Sequence, residues 1–449
     1  MSETNAYFVA VIGAGPSGLF GARELANQGA QVVVFNRDIK PGGLAEYGVY
    51  PDKHKMKDGF RKQFRQALAH PNLTYYGNLR IGAEGDLTLE DLRALGFQAI
   101  LVTVGAQGTK WLGLPGEKLV GSYHAKDLVY YYNKLPLYSE EKFRLGRRCA
   151  IIGAGNVMMD IAHFMIHDVK AAEVIAVVRR GPGEVNFTKE EMTRNIANLD
   201  LPAFDAEMNR VLPALQAVHQ DPELGRHKVL DALPKAEPKT SETRFRFEFL
   251  SSPLQVLGEG GWVSKLEVED NILVAQGDDM KARGTGHKRT LELENVIFAV
   301  GDKIDASFGL PTASNSFVMN PSPCFPVDAI SYEAFDPDAD EPIRDVFVGG
   351  WARKASEGLV GYARKDGTNA SKAVWQYLQT LQPTAPHLEV VADKMKSLGK
   401  PVVTKENIQK LEAVEAAEAK RRGLEEFKFA TNEEMLLVMG LPITGPDQS

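Results

Sequence analysis

Apolar residues in this chain fall in short continuous runs closed by glycine, and between those runs they recur at helical spacing. Val9, Ala10, Val11 and Ile12 form the first run and Val32 to Phe35 the next. Between them, Leu19, Phe20, Leu25 and Ala26 are among the apolar positions of a stretch from about Pro16 to Asn27. A continuous run bounded by turn residues reads as a strand buried on both faces, and residues spaced by three and four read as a helix. The pattern therefore predicts strand, glycine turn, helix and strand over residues 8 to 35. It restarts at Cys149, and buried strands ending in glycine recur at 99–105, 295–301 and 345–350. Strands alternating with helices imply an α/β fold. From Arg244 to Val274 apolar and polar residues alternate, which predicts antiparallel strands. Residues 386–449 read as a charged helical tail, with Thr431 in an N-cap position before its last helix.

The glycines carry the chemistry. Gly13, Gly15 and Gly18 form G-x-G-x-x-G at the end of the first strand, with Pro16 and Ser17 in the first helical turn. The first glycine of such a motif permits the tight turn, the second lets backbone approach a pyrophosphate, and the third lets helix and strand pack closely. Free N–H groups at the helix start then attract the phosphates. Gly153, Gly155, Asn156 and Val157 repeat this grammar, with Met158 at the third glycine position, which predicts looser packing there. Two dinucleotide sites suggest two nucleotides exchanging electrons. At the tip of the second strand, where a carboxylate usually meets a ribose, the first unit has Asn36, still able to hydrogen-bond. The second unit has Arg179 and Arg180, suited to a 2′-phosphate. NADP(H) is favoured over NAD(H), which stays open because arginine also stacks on adenine and Glu191 can serve a ribose. Asp160 lies near the start of the second helix, where the dipole alone favours a carboxylate.

Composition narrows the partners. The 449 residues are 44% hydrophobic and 25% charged, with a formal net charge of −7, which argues against a nucleic-acid binder. Only Cys149 and Cys324 are present, too few for an iron–sulfur cluster with four cysteine ligands, and no metal site is expected. Cys149 leads into a strand and reads as core. Met1 to Asn5 are polar, and no apolar run approaches the ~18 residues of a membrane span, so a cytoplasmic chain is expected. Lys53, His54, Lys55, Lys57, Arg61, Lys62 and Arg65 form a basic run. It reads either as a solvated face or as a docking patch for an acidic electron carrier.

Several segments together resemble the adrenodoxin reductase type of ferredoxin–NADP reductase and, more distantly, the glutamate synthase small subunit. They are the first fingerprint with Gly43-Leu44, Gly48-Val49 and Pro51-Asp52; Leu114 to Glu117; the tyrosine row Tyr130 to Tyr132; Gly155-Asn156-Val157 with Asp160; Arg179 to Pro182 with Phe187-Thr188; Gly350-Trp351; and Lys400 to Val402. The resemblance covers essentially the whole chain. The histidine that follows Pro-Asp in that family is Lys53 here, with His54 one place later.

The resemblance implies two Rossmann-like domains. An FAD domain would comprise residues 1–107 and 310–449, with an NAD(P) domain inserted at 108–309. The loop with Gly43, Leu44 and Gly48 would cover the flavin ring, Gly105 would meet it at a strand end, and Trp351, Gly358, Leu359 and Val360 would also touch it. The Asp160 carboxylate would point toward flavin and nicotinamide. The implied activity is electron transfer between NAD(P)H and an iron–sulfur protein. The alternatives are a subunit linking NAD(P) to a larger complex's clusters, and an FAD-dependent oxidase or monooxygenase.

Overall fold

The computed structural model describes residues 5–277, 279–355 and 360–443. The chain divides into two compact units: residues 1–109, 130–140 and 301–449 form the first, and 110–129 with 141–300 the second.

In the first unit, β1 (Phe8–Ile12), α1 (Pro16–Asn27), β2 (Gln31–Phe35), β3 (Leu73–Tyr76) and β4 (Ala99–Val102) follow in chain order. The six-stranded sheet runs Glu333–Asp336, Glu341–Val348, β4, β1, β2, β3. All neighbours are parallel except the outermost strand, Glu333–Asp336. Val9, Val11, Val32 and Val34 enter a core on one face with Leu19 and Leu25 of α1. Phe8, Ala10, Ile12, Val33 and Phe35 enter a second core on the other. Two covered faces explain the unbroken apolar run, each fully buried large side chain being worth about 1.5–3 kcal/mol.

Helix Val360–Leu378 crosses α1 with backbones nearly touching. A Cβ on Gly367 would lie 2.2 Å from the Ser17 carbonyl oxygen, and one on Gly21 would lie 3.0 Å from that of Gly367. The tail forms helices Leu388–Ser397, Lys405–Arg422 and Asn432–Met439. Thr431 caps the last one, its hydroxyl accepting from the Glu434 N–H while the Glu434 carboxylate accepts from the Thr431 N–H.

The second unit holds a parallel five-stranded sheet ordered Ser122–His124, Asn295–Phe298, Arg148–Ile152, Glu173–Val177, Arg244–Glu248. An antiparallel trio follows, Ser251–Glu259, Trp262–Gln276 and Asp279–Glu292. Antiparallel pairing was expected from Arg244 onward, but Arg244–Glu248 pairs parallel, Glu173 opposite Arg244. Its alternation arises because it is an edge strand. Phe245 and Phe247 are buried, while Arg244 and Arg246 reach the Glu173 carboxylate.

The expected insert 108–309 is also corrected. Segment 130–140 returns to the first unit, where Tyr130 and Leu135 pack on Tyr47. Gly108–Thr109 pairs antiparallel with Asp302–Lys303, so both crossing strands belong to the first unit.

Candidate dinucleotide-binding sites

The first glycine turn is held from behind. Gly13 has φ +101°, and a Cβ there would lie 2.6 Å from the Thr103 carbonyl oxygen. A Cβ on Gly18 would lie 1.9 Å from the Gly13 carbonyl oxygen, so the third glycine is demanded by the turn itself. At Gly15 a Cβ would meet nothing within 4 Å. The middle glycine thus faces open space, as a backbone that receives a pyrophosphate must. The Ser17 hydroxyl beside it is buried with no hydrogen-bond partner among the described residues. An open glycine and an unsatisfied buried hydroxyl at a helix start fit a dinucleotide phosphate.

Asn36, expected at a ribose, has its side chain bonded to the protein's own backbone. Its Oδ1 accepts from the Ala14 N–H at 2.9 Å, and its Nδ2 donates to the carbonyls of Asp38 and Lys40. The amide locks the fingerprint to the loop that follows β2. Thr103 is a second lock that sequence reading missed, its hydroxyl 2.9 Å from the carbonyl oxygens of both Ile12 and Gly13. The only sequence signal was a threonine interrupting an apolar strand.

The loop expected over the flavin rests on the same turn. Gly42 donates its N–H to the Ala14 carbonyl at 2.7 Å. Gly43, with φ +50°, would place a Cβ 3.1 Å from the Gly15 Cα. Gly48 ends the short helix Leu44–Tyr47. Gly105 follows β4 with φ +71°. Gly350, φ +69°, would place a Cβ 2.8 Å from that of Ser17, so the turn carrying Trp351 lies against the start of α1. Asp366 anchors this turn, accepting from the Gly350 N–H at 2.6 Å and pairing with Arg353 at 2.6 Å. Val360 begins the next helix, whereas Gly358 and Leu359 lie outside the described residues.

Part of the basic run turns inward. Lys57 is 1% exposed and pairs with Glu426 at 3.1 Å. Arg61 binds the Glu46 carboxylate through two 2.7 Å contacts and also reaches Glu426. Lys40 and Lys428 join the same cluster through Glu46, and Glu415 pairs with Lys40 at 2.6 Å. Lys57 and Arg61 are therefore not a docking patch; Lys55, Lys62 and Arg65 remain exposed. Burial opposes the charge on Glu46, but Lys40, Lys428 and Arg61 outweigh it and hold its pKa well below the usual carboxylate range. Burial lowers Lys428 to about 8, against the pull of Glu46.

The second glycine turn repeats the first. Gly153 has φ +156° with a Cβ position 2.5 Å from the Ala299 carbonyl oxygen, while Gly155 again faces open space. Asn186 donates to the Ala154 carbonyl at 2.8 Å, as Gly42 does to Ala14. Met158 is wholly buried where the first unit has Gly18. Val157 is 46% exposed beside the turn. The Asn156 side chain accepts from the Thr188 N–H at 2.8 Å, which folds the segment after Arg179 and Arg180 back onto the fingerprint. Neither of those two guanidiniums has a partner among the described residues. They suit an anionic ligand group.

Asp160 and Glu191 are brought together by Arg194, which sequence reading overlooked. Its Nη1 lies 3.1 Å from Asp160 Oδ1 and 3.3 Å from Glu191 Oε2. No group of three or more residues able to hold a metal occurs among the described residues, and none of their helices is long and apolar enough to cross a membrane.

The family profile described as pyridine nucleotide-disulphide oxidoreductase matches residues 7–199. NADPH-ferredoxin reductase FprA of Mycobacterium tuberculosis (strain ATCC 25618 / H37Rv) is 27% identical, over 96% of this chain and 99% of its own length. The mitochondrial NADPH:adrenodoxin oxidoreductase of Salvelinus fontinalis is 26% identical, over 96% and 90% respectively. The solved structure of Mycobacterium tuberculosis FprA in complex with NADPH has a TM-score of 0.80 at 25% identity and covers 97% of this chain and 99% of its own. Over nearly its whole length the chain is similar to reductases of the adrenodoxin reductase type, and its residues 7–199 match the pyridine nucleotide-disulphide oxidoreductase family.

Proposed function

We propose that this chain is an FAD-dependent oxidoreductase that moves electrons between NADPH and an iron–sulfur protein. The observation that carries the reading is the pair of glycine turns, each presenting an open middle glycine, the second followed by two arginines whose guanidiniums have no partner among the described residues. When bound, FAD supplies two-electron exchange with a nicotinamide and one-electron exchange with an iron–sulfur centre. The residues of the chain supply position and charge. Gly13, Gly15, Gly18 and Ser17 would receive the FAD pyrophosphate, with Asn36 and Thr103 fixing the turn behind them. The loop of Gly43, Leu44 and Gly48, with Gly105 and the Trp351 turn, would line the ring site. Gly153, Gly155, Asn156 and Val157 would receive the nicotinamide nucleotide, and Arg179 and Arg180 its 2′-phosphate. Two unpaired cysteines accord with a reducing compartment, and we place the protein in the cytoplasm.

Anaerobic titration of the purified protein tests this reading. Its flavin absorbance should bleach with NADPH, less readily with NADH, and recover on addition of an oxidised ferredoxin. A protein that holds no flavin when supplied with excess FAD would overturn it.

A further inference from the structure

Arg194 occupies a position that the nucleotide-site assignments leave unused. It is 8% exposed and belongs to neither the glycine turn nor the arginine pair. Asp160 lies one helical turn beyond Asn156, on the same helix Asn156–His163. Glu191 lies one short turn beyond Thr188, whose N–H is bonded to that same Asn156. The two carboxylates therefore converge on the second fingerprint, and the Arg194 guanidinium touches both.

A guanidinium between two carboxylates does two things here. It fixes their orientation, and it cancels one of the two negative charges they bring to a site for a polyanion. The consequence differs between nucleotides. A 2′-phosphate adds about −1.5 to −2 of charge at neutral pH, so uncompensated carboxylates repel a 2′-phosphorylated nucleotide more than one lacking that group.

We propose that Arg194 is a specificity-determining positioning residue, which by offsetting one of the two negative charges of Glu191 and Asp160 lets the second site accept a nucleotide carrying a 2′-phosphate. The proposal rests on the reading of that site as the NADP(H) site. It adds a buried charge-balancing residue to the pair of exposed Arg179 and half-buried Arg180, acting through the carboxylates rather than on the phosphate.

Isothermal titration of the oxidised, flavin-loaded protein with NADP⁺ and NAD⁺ tests it, with 2′-phospho-AMP and AMP as smaller probes. Arg194→Gln should weaken NADP⁺ about tenfold or more and NAD⁺ less than about threefold. Arg194→Lys, which keeps the charge, should retain most of the NADP⁺ preference. The double variant Glu191→Gln with Arg194→Gln should recover NADP⁺ binding to within about threefold of the parent. That rescue separates charge balance from a merely structural role. Equal losses for both nucleotides, or a double variant no better than the single one, would overturn the proposal. Should Arg194→Gln fail to fold, the lysine and double variants decide by the same ratios. A parent protein that binds NAD⁺ as tightly as NADP⁺ would instead overturn the NADP(H) reading itself, and the proposal with it.

Discussion

The ammonium of Lys428 lies 3.0 Å from the Glu46 carboxylate and 2.8 Å from the Glu46 carbonyl oxygen, although 382 residues separate the two. The C-terminal tail is thereby tied to the loop that rests on Gly15. Glu426 strengthens the tie through Lys57 and Arg61, and Glu415 through Lys40. Removing one partner of a buried ion pair leaves an uncompensated charge, at a cost of about 3–5 kcal/mol. Lys57→Glu or Arg61→Glu should therefore lower the unfolding midpoint and loosen FAD together. A variant that folds normally, with only slower reduction of the iron–sulfur partner, would return these residues to a docking role.

The same cluster sets an acid limit. Burial works against ionisation of Glu426, but Lys428, Lys57 and Arg61 bring its pKa down to about 2. A carboxylate whose pKa is lower in the folded than in the unfolded chain contributes stability above its unfolded value, and that stability is lost as pH falls through the folded one. The drop from 4.5 to about 2 corresponds to about 3 kcal/mol, lost between those pH values. Denaturant unfolding across this window should show a shallower pH slope in Glu426→Gln than in the parent.

Gly15 and Gly18 should separate folding from binding. Gly18→Ala puts a methyl group into the Gly13 carbonyl and should prevent the first unit from folding. Gly15→Ala meets no protein atom within 4 Å, so the apoprotein should melt within a degree or two of the parent, about 0.5 kcal/mol or less in stability. FAD affinity should nevertheless fall steeply if, as proposed, the pyrophosphate approaches the backbone at Gly15. Fluorescence titration with FAD, together with the melting curve, checks both.

Asn36→Asp should destabilise the protein, although a carboxylate is the usual residue at this strand tip. The two carbonyls of Asp38 and Lys40 accept from Asn36 Nδ2, and a carboxylate there would face them without a proton to give. The cost should be about 1–3 kcal/mol in denaturant unfolding. A stable variant with tighter FAD binding would contradict the bonding described for Asn36.

Arg179→Ala with Arg180→Ala should raise KM for NADPH by about ten- to a hundredfold, corresponding to loss of one or two charge-assisted contacts, and leave KM for NADH nearly unchanged. Steady-state reduction of a ferredoxin with each nucleotide measures this. Equal changes would remove the two arginines from the 2′-phosphate.

Much of this was legible in the order of residues. The bounds of β1, α1 and β2, the two glycine turns and the cap at Thr431 follow from backbone needs that act within a few residues. Gly18 is an example, because the atom it must avoid belongs to Gly13. The edge strand Arg244–Glu248 was misjudged because half-burial produces the same alternation whether the neighbour runs parallel or antiparallel. Lys57 and Arg61 were misjudged because a basic run looks the same in sequence whether or not acids from the tail cover it.

Amino-acid order alone therefore determined the α/β class, the two fingerprints and the arginine pair, since local sterics and periodic burial are written into neighbouring residues. Only the tertiary structure decided that segment 130–140 rejoins the first unit, that Lys428 meets Glu46, and that Arg194 joins Asp160 to Glu191. Those relations depend on where distant segments converge, and an ion pair leaves no periodic trace in the chain that forms it.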